Sequence, residues 1–352
     1  MPDRFLPILL TMGDACGIGP EIIVRAFQSG AAAGAVVVAD VAVMRRASAL
    51  LPEPWPIARL DSPAGGLSCP PRCVPVWQPP ELDALEAGAG MGAALCDLPW
   101  GQVDARAGAA AALCVRTAVA SLQRREGAAI VTAPLNKAAL AAAGIRYPGH
   151  TEMLQALAAR PGEAAPPVRM MLANPELRVV LVTIHLSLRQ AIDAVTYDAV
   201  LDTLRIAAAS RTPGLDGRCR IAVAGLNPHA GEDGLFGDEE RLIIAPAVAA
   251  ARAEGLDAYG PFAPDTVFMR ARRGEFDLVV AMVHDHGLIP VKYLGVEQGV
   301  NVTLGLPFVR TSPDHGTAFD IAGRGVADAS SLEAAIAWAR RASAAAPTLN
   351  AA

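Results

Sequence analysis

The sequence predicts an α/β protein with a largely parallel sheet, and two observations support that prediction. Short runs of β-branched residues alternate along the chain with longer segments rich in alanine and leucine, which is typical of strand–helix–strand units. The chain has 352 residues, of which 53% are hydrophobic, so it is longer than one hydrophobic core usually absorbs. We therefore expect two domains, or one large unit with two lobes.

The predicted strands are short, apolar and uninterrupted, as strands are when helices cover both faces of a parallel sheet. They span Leu6–Thr11, Val36–Ala39, Ala128–Thr132, Val179–Ile184, Ile221–Gly225 and Leu278–Val283. The predicted helices are longer and rich in alanine, which has the highest helix propensity. They span Pro20–Ser29, Ala105–Arg125, Thr151–Ala159, Asp198–Ser210, Glu239–Glu254, Thr266–Arg273 and Ser331–Ala345. Residues 52–101 are rich in proline and glycine, and we expect them to be irregular and peripheral.

Charge and composition argue against several classes of protein. The formal net charge is -5 and the arginines are scattered, so the basic surface that nucleic acid requires is absent. No stretch approaches the roughly 18 consecutive apolar residues of a membrane span, and the N-terminus lacks the layout of a signal peptide. The six cysteines form no paired Cys-x-x-Cys sets, and we interpret them as reduced thiols of a cytoplasmic protein.

Three of the predicted strands end at, or within a short turn of, a histidine. These pairs are 179–184 with His185, 221–225 with His229 and 278–283 with His284. In open α/β sheets ligands bind outside the carboxyl ends of the strands, so three such imidazoles can converge on one point. A lone histidine at a strand end is more often a hydrogen-bonding residue than a metal ligand, and the repetition at three strand ends is what favours a metal site.

Three imidazoles are a common ligand set for catalytic zinc, which keeps one coordination position for water or substrate. The open position lets the cation act as a Lewis acid on a substrate oxygen. The loop after His229 contains Glu232 and Asp233, which are either partners that orient the imidazoles or residues of a solvated turn. Zinc, cobalt and magnesium all stay open as the resident metal, although imidazole ligands favour magnesium least.

Two glycine-rich segments lie near the two ends of the chain. Residues 13–22 follow the first strand and place Pro20 at the first position of a helix, where backbone N–H groups suit anions. They do not form the Gly-x-Gly-x-x-Gly dinucleotide fingerprint. Together with residues 314–325 they resemble two elements of the isocitrate and isopropylmalate dehydrogenase fold, in which the second element wraps the adenosine half of the cofactor.

The closest resemblance is to the 4-hydroxythreonine-4-phosphate dehydrogenase family of pyridoxine biosynthesis. The resemblance covers nearly the whole chain except residues 45–100 and is carried by long motifs in the same order. These motifs are Thr-Ala-Pro-Leu-Asn-Lys (132–137), Gly-His-Thr-Glu (149–152), Thr-Ile-His-Leu (183–186), Asn-Pro-His-Ala-Gly-Glu (227–232), His-Asp-His-Gly-Leu-Ile-Pro-Val-Lys (284–292), residues 299–312 and the loop at His315. It implies two α/β/α domains with a cleft between them, one formed by residues 1–135 and 300–352 and the other by 136–299.

The resemblance also implies roles for residues at matching positions. His185, His229 and His284 match the metal ligands. The substrate contacts are matched by His150, Thr151, Lys292, Asn301 and Arg310. The loop that holds NAD or NADP is matched by His315, Gly316, Thr317 and Asp320. A lysine and an arginine suit a phosphorylated and carboxylated substrate, because both donate to anionic oxygens.

The implied reaction is metal-dependent oxidation of 4-phosphooxy-L-threonine to 2-amino-3-oxo-4-phosphooxybutanoate, which decarboxylates to 3-amino-2-oxopropyl phosphate. A base must accept the proton of the hydroxyl group, and Asp265, Asp285 and Lys292 are all candidates. Asp265 is equally compatible with capping the helix that follows it. Asp320 would lie near the adenosine ribose, where a carboxylate favours NAD over NADP.

The resemblance implies a homodimer whose active sites are shared, with the ligand matching His284 supplied by the partner subunit. Two positions depart from the family pattern: His286 stands where glutamine is usual, and Ala15-Cys16 replaces proline-alanine. Related enzymes that oxidise threonate or erythronate phosphate, or aromatic dihydrodiols, stay open as alternatives. A zinc hydrolase without a nicotinamide and a non-catalytic binding protein are more remote alternatives.

Overall fold

The computed structural model describes residues 6–88, 94–147, 149–159, 162–210, 212, 219–295 and 297–344. The chain divides into two compact units, the first formed by Met1–Pro166 with Leu306–Ala352 and the second by Pro167–Gly305. These units are groups of residues in mutual contact. The domain limits suggested by the sequence, 1–135 with 300–352 and 136–299, stay a prediction.

Twelve strands occur in the described part of the chain, and all are short. They are β1 (Ile8–Thr11), β2 (Ala35–Val38), β3 (Ile57–Leu60), β4 (Val74–Trp77), β5 (Ala129–Thr132), β6 (Arg169–Ala173), β7 (Arg178–Leu181), β8 (Ile221–Ala224), β9 (Ala258–Phe262), β10 (Leu278–Ala281), β11 (Val300–Leu304) and β12 (Val309–Pro313). Six of these strands, namely β1, β2, β4, β5, β8 and β10, are fully buried, which explains their continuous apolar sequences.

Twelve α-helices occur among the same residues. They are α1 (Gly19–Gln28), α2 (Val41–Ser48), α3 (Pro80–Gly88), α4 (Ala105–Gln123), α5 (Lys137–Ala142), α6 (His150–Ala158), α7 (Leu188–Asp193), α8 (Tyr197–Ala208), α9 (Ala245–Ala253), α10 (Val267–Arg272), α11 (His284–Tyr293) and α12 (Ser330–Ala344). A π-helix, Glu240–Ile244, leads directly into α9. Short 3₁₀ helices span Pro63–Ser68 and Leu95–Asp97, and Pro228–Gly234 contains a left-handed turn.

The strands of the first unit pair in the order β3-β4-β2-β1-β5-β12, and all five pairings are parallel. Because the strands are parallel, their carboxyl ends meet at one edge of the sheet. The loops that follow β1, β5 and β12 therefore leave the sheet side by side. These are the loops that carry the first glycine-rich segment, residues 133–137, and His315.

The second unit has the strand order β11-β6-β7-β10-β8-β9. Its first two pairings are antiparallel, and the pairings from β7 to β9 are parallel. Its core includes side chains of the strands together with Val267, Phe268 and Leu288. The prediction of an α/β fold with a largely parallel sheet is confirmed for both units.

The expectation that residues 52–101 are irregular is wrong. This stretch contributes β3, β4 and α3, and β4 pairs with strands on both sides. Pro75 lies within β4, where proline is disfavoured because it lacks a backbone N–H, so its presence hid the strand. The helix α11 was also missed, because Gly287 and Pro290 lie inside it.

The predicted helix at residues 239–254 exists in two parts, since its first turn is the π-helix and only the remainder is α-helical. Among the described helices, α4 is long and apolar enough by length and composition to cross a bilayer. Its most apolar window is 67% buried inside the structure. Packing against α5 and the sheet of the first unit accounts for its apolar face.

Candidate active site

Three neighbouring strands of the second unit deliver the three histidines to one edge of the sheet. β10 lies between β7 and β8, and both pairings are parallel. His185 follows β7, His284 follows β10 and His229 follows β8. The structure therefore brings the predicted histidines to one edge, as the pattern of strand ends indicated.

The segment from β7 to His185 is tied to the neighbouring strand. Val182 donates from its backbone N–H to the carbonyl of Ala281 at 2.9 Å. Thr183 donates to the carbonyl of Met282 from its backbone N–H at 3.2 Å and from its hydroxyl at 2.8 Å. These bonds extend the pairing beyond the strands, and the rings of His185 and His284 lie 6.1 Å apart between centroids.

His284 is the first residue of α11, at the positive end of the helix dipole. A hydrogen bond of 2.6 Å joins its Nδ1 to Oδ1 of Asp285. When Nδ1 carries the proton, Nε2 keeps a lone pair that is available to a cation. A carboxylate partner of this kind is what metal-bound imidazoles usually have.

His229 lies in a left-handed turn. The five consecutive residues 229–233 have φ between 41° and 80°, and only Gly231 among them is glycine. Each of the other four conformations costs about 1–2 kcal/mol relative to right-handed backbone. The ring of His229 packs against Phe236 with 5.9 Å between centroids. Strained backbone of this kind tends to occur at functional sites, where the surrounding structure enforces it.

The residues present fit a cation of the zinc or cobalt type by the chemistry of their donor atoms. Among the described residues, no three His, Cys, Asp or Glu side chains are grouped closely enough to hold a metal ion. Three imidazoles at one sheet edge, one of them oriented by a carboxylate, are nevertheless the donor chemistry that such cations prefer.

The other candidate residues of the second unit lie on several elements. Lys292 is exposed near the end of α11, and the exposed His286 lies in the first turn of that helix. Asn301 lies in β11, and its Oδ1 is buried without a hydrogen-bond partner. Asp265 is exposed just before α10, whose N-cap is Thr266, so Asp265 is not the N-cap residue.

In the first unit, a buried arginine near the start of β12 reaches with its side chain to the carboxyl end of β5. Arg310 is 2% exposed, and its Nη2 donates to the hydroxyl of Thr132 at 2.8 Å. Burial lowers the pKa of Arg310 to about 10, which leaves the guanidinium charged at neutral pH. A buried cation beside a hydroxyl group is suited to an anionic ligand.

His150 begins α6 and shares this environment. Burial lowers the pKa of its imidazole well below the usual range, and the positive charges of Arg310 and Lys137 lower it further. Its Nε2 is enclosed without a hydrogen-bond partner. His150 is therefore neutral at pH 7 and offers a ring nitrogen to a ligand, while Thr151 follows it, half-buried, in the same helical turn.

Lys137 was not selected from the sequence, although it ends the motif 132–137. It is the first residue of α5, directly after Asn136, whose side chain caps that helix. Its Nζ lies 3.9 Å from the position that a Cβ on Gly149 would occupy. Its place at the first position of a helix beside Gly149 makes it a second cation for an anionic ligand.

The two glycine-rich segments contact each other in the first unit. Ile18 donates from its backbone N–H to the carbonyl of Thr317 at 3.1 Å. A Cβ on Gly17 would lie 2.9 Å from Cβ of Thr317, so only glycine allows this approach. Open space surrounds Gly316, and the exposed Asp320 lies four residues further on. The contact agrees with one ligand-binding surface formed by both segments.

Asp14 is a further residue that the sequence did not single out. It is 1% exposed, its Oδ1 accepts from the N–H of Cys16 at 2.8 Å, and its Oδ2 is buried without a partner. Burial raises its pKa to about 6, opposed by the hydrogen bond from Cys16 and aided by the negative charge of Asp104. A polar atom left unsatisfied beside the glycine loops fits a site that a polar cofactor fills.

Comparison with known proteins identifies the family. Residues 31–339 match the family model described as pyridoxal phosphate biosynthetic protein PdxA. A 4-hydroxythreonine-4-phosphate dehydrogenase of Beijerinckia indica subsp. indica is 52% identical over 337 residues, which cover 95% of this chain and 94% of that protein. A D-threonate 4-phosphate dehydrogenase of Pectobacterium atrosepticum is 44% identical over 333 residues, covering 94% and 97%.

Solved structures give the same result. A crystal structure of 4-hydroxythreonine-4-phosphate dehydrogenase from Klebsiella pneumoniae aligns with a TM-score of 0.84 at 44% identity, covering 96% of this chain and 100% of that one. The named relatives are dehydrogenases, which are oxidoreductases that act on CH–OH groups, and their similarity extends over nearly the whole chain. The chain therefore belongs to the PdxA family of pyridoxal phosphate biosynthetic proteins.

Proposed function

We propose that this protein oxidises 4-phosphooxy-L-threonine to 2-amino-3-oxo-4-phosphooxybutanoate, with NAD or NADP as oxidant and a divalent cation held by His185, His229 and His284. The product is a β-keto acid and decarboxylates to 3-amino-2-oxopropyl phosphate. The observation that carries the proposal is the delivery of three histidines to one sheet edge in a chain of this family. A bound cation would supply Lewis acidity at the substrate hydroxyl.

The substrate contacts are proposed residue by residue. Arg310 and Lys137 bind anionic oxygens of the substrate, and His150 and Thr151 contribute neutral hydrogen-bonding groups. Lys292 and Asn301 bind further polar atoms, and the enclosed Oδ1 of Asn301 supports its role. Burial of Arg310 makes its hydrogen bonds stronger than those of an exposed side chain.

The oxidant would lie along the contact between the two glycine-rich segments. His315, Gly316 and Thr317 line its adenosine half, and Asp320 accepts from the ribose hydroxyls, which favours NAD. A nicotinamide cofactor supplies the hydride acceptor. Asp265, Asp285 and Lys292 are the candidates for the base, and the hydrogen bond that Asp285 accepts from Nδ1 of His284 gives Asp285 an orienting role as well.

We further propose a homodimer in which His284 of each subunit completes the metal site of its partner. The elements that follow the three histidines expose large apolar side chains, which a second copy of the chain would cover. These side chains are Leu186, Leu188, Leu235, Phe236, Leu242, Ile289 and Tyr293. Because one described chain groups only part of the ligand set, a second copy covering this surface is the simplest way to complete it.

A cytoplasmic location is proposed on the basis of the cysteines. None of the six forms a disulfide, including Cys16 and Cys114, which are buried. Burial raises the pKa of the Cys16 thiol to about 12, so it stays protonated and unreactive at neutral pH. Free thiols are typical of reducing compartments.

D-threonate 4-phosphate is the second candidate substrate, because relatives of that name are 44% identical over most of the chain. A substrate comparison decides between the two. With purified protein, Zn²⁺ or Co²⁺ and either cofactor, we expect kcat/KM measured at 340 nm to be highest for 4-phosphooxy-L-threonine. The unphosphorylated compound, 4-hydroxy-L-threonine, is the matched control and should lose at least about 100-fold, because Arg310 then lacks an anionic partner.

Preference for D-threonate 4-phosphate would replace the proposed substrate but keep the reaction type. Absence of NADH formation with every phosphorylated hydroxy acid would contradict the reaction type itself. Restored growth of a pyridoxine auxotroph carrying this chain is the independent check on the same assignment.

A further inference from the structure

Glu240 is a buried carboxylate that packs against the loop carrying His229. It begins the π-helix of the second unit and is 4% exposed. Its Oε1 accepts from the backbone N–H groups of Leu226 and Asn227, each at 2.7 Å. Its Oε2 accepts from Nδ2 of Asn227 at 2.9 Å. One side chain thus fixes the segment that connects β8 to the left-handed turn.

The carboxylate also contacts the turn itself. A Cβ on Gly231 would lie 2.7 Å from Oε2 of Glu240, and a Cβ on Gly225 would lie 2.9 Å from Oε1. No side chain fits at either position unless the carboxylate moves. Glu240 is therefore enclosed by the loop, with one oxygen against its entry and the other against its middle.

This arrangement explains how the turn is held in an unfavourable conformation. His229 and three further non-glycine residues have left-handed backbone, which they leave when nothing enforces it. The loop is closed by a hydrogen bond from the N–H of Phe236 to the carbonyl of Gly231 at 3.1 Å, and Phe236 packs on His229. The bonds to Glu240 anchor the other end. Glu240 also begins a π-helix, and single turns of π-helix are frequent at functional sites.

We propose that Glu240 is a positioning residue, which holds His229 in the direction that a metal ligand requires. The inference rests on the proposed function, because it takes His229 to be a ligand. Glu240 reaches the cation only through the loop. Glu240 accepts three hydrogen bonds with its two carboxylate oxygens. Glutamine cannot do the same, because its NH₂ group would face the NH₂ group of Asn227, and both are donors.

The test compares Glu240→Gln with the wild type and with Asp238→Asn. Asp238 is an exposed carboxylate two residues away that pairs with Arg241, so its variant makes the same change of charge outside the loop's interior. We expect Glu240→Gln to weaken Co²⁺ binding by about 10–100-fold and to change the visible absorption of bound cobalt. Asp238→Asn should match the wild type in both.

A second readout needs no metal. In the metal-free protein, amide hydrogen exchange over residues 226–237 should be at least about tenfold faster in Glu240→Gln, with exchange in β7 and β10 unchanged. Asn227→Ala removes the side-chain donor that Glu240 shares with Glu239 but keeps both backbone donors to Glu240, so it should show a smaller change in the same direction. The Asn227→Ala variant still allows a comparison with the wild type if Glu240→Gln does not fold.

The outcomes are separable. If amide hydrogen exchange over residues 226–237 is unchanged in both Glu240→Gln and Asn227→Ala, Glu240 does not hold the loop and the proposal is wrong. Faster exchange with unchanged cobalt affinity and spectrum shows that Glu240 serves stability alone, and overturns the proposal. A wild-type protein that binds no cobalt contradicts the proposed metal centre, while the exchange measurement still decides whether Glu240 holds the loop.

Discussion

Replacing His229 with alanine is expected to abolish metal-dependent NADH formation while leaving the fold intact. A Lewis-acidic cation contributes several kcal/mol to stabilising the charge that develops on the substrate hydroxyl, which corresponds to a loss on the order of 10³-fold or more in kcat. The fold should survive because His229 is exposed and contributes no core packing. The measurements are kcat with saturating Zn²⁺ or Co²⁺, metal stoichiometry and circular dichroism.

His286→Gln is the matched control for this variant. It also replaces an exposed histidine, which lies two residues beyond His284, with a neutral polar side chain. We expect it to keep metal stoichiometry and to lose little activity. Full turnover by His229→Ala in the presence of a chelator would remove the metal from the mechanism, and equal losses in both variants would show that the assay is insensitive to the site.

Replacing Arg310 with methionine is expected to raise KM for the phosphorylated substrate on the order of 10²-fold or more. Each hydrogen bond from a cationic donor to an anion is worth about 1.5–3 kcal/mol, and a guanidinium makes two of them in a bidentate contact. Methionine fills much of the volume of the buried arginine side chain, so the rise in KM measures the effect of removing the positive charge. KM and kcat should be measured separately, since binding of the ground state dominates the effect.

Arg169→Met is the control for the loss of an arginine. Arg169 is half-buried in β6, and its Nε donates to the hydroxyl of Thr203 at 2.6 Å, much as Arg310 donates to Thr132. We expect Arg169→Met to lower stability but to leave KM unchanged. A normal KM in Arg310→Met would contradict the assignment of Arg310 to the substrate, because an anion would then bind without it.

The sequence predicted the order of strands and helices well where strands are continuous apolar runs. The strand that precedes His284, for example, is a single run of buried residues and was found almost to its ends. Prediction failed where local propensity opposes the structure. Pro75 in β4 and Pro290 in α11 are tolerated only because neighbouring elements pack around them, and such tertiary effects leave no local pattern.

The candidate site was predictable to a different extent in each unit. The three histidines could be placed at strand ends, because strand carboxyl ends meet at one edge of a parallel sheet. The left-handed turn at His229 could not be foreseen, since alanine and glutamate rarely adopt such backbone and four non-glycine residues do so within five consecutive positions. Glu240 was predicted only as the start of a helix, and its buried contact with Asn227 appears only in three dimensions.

Residues with unsatisfied buried polar atoms also lay beyond sequence analysis. In the sequence, Asp14 is an ordinary loop aspartate. Its pKa is raised because the packed loops bury it, and that packing exists only in the folded protein. In the sequence, Lys137 is an ordinary residue at the start of a helix, yet its positive charge lowers the pKa of His150. Both depend on contacts between segments that are distant in sequence, which one sequence does not reveal.

The most direct test of the three-histidine metal centre is a crystal structure of the zinc-loaded protein with anomalous scattering measured at the zinc edge. We predict one strong peak per subunit with imidazole nitrogens of His185, His229 and a His284 at about 2.0–2.1 Å. A peak ligated by other side chains, or no peak in protein that is active without added metal, would contradict the account.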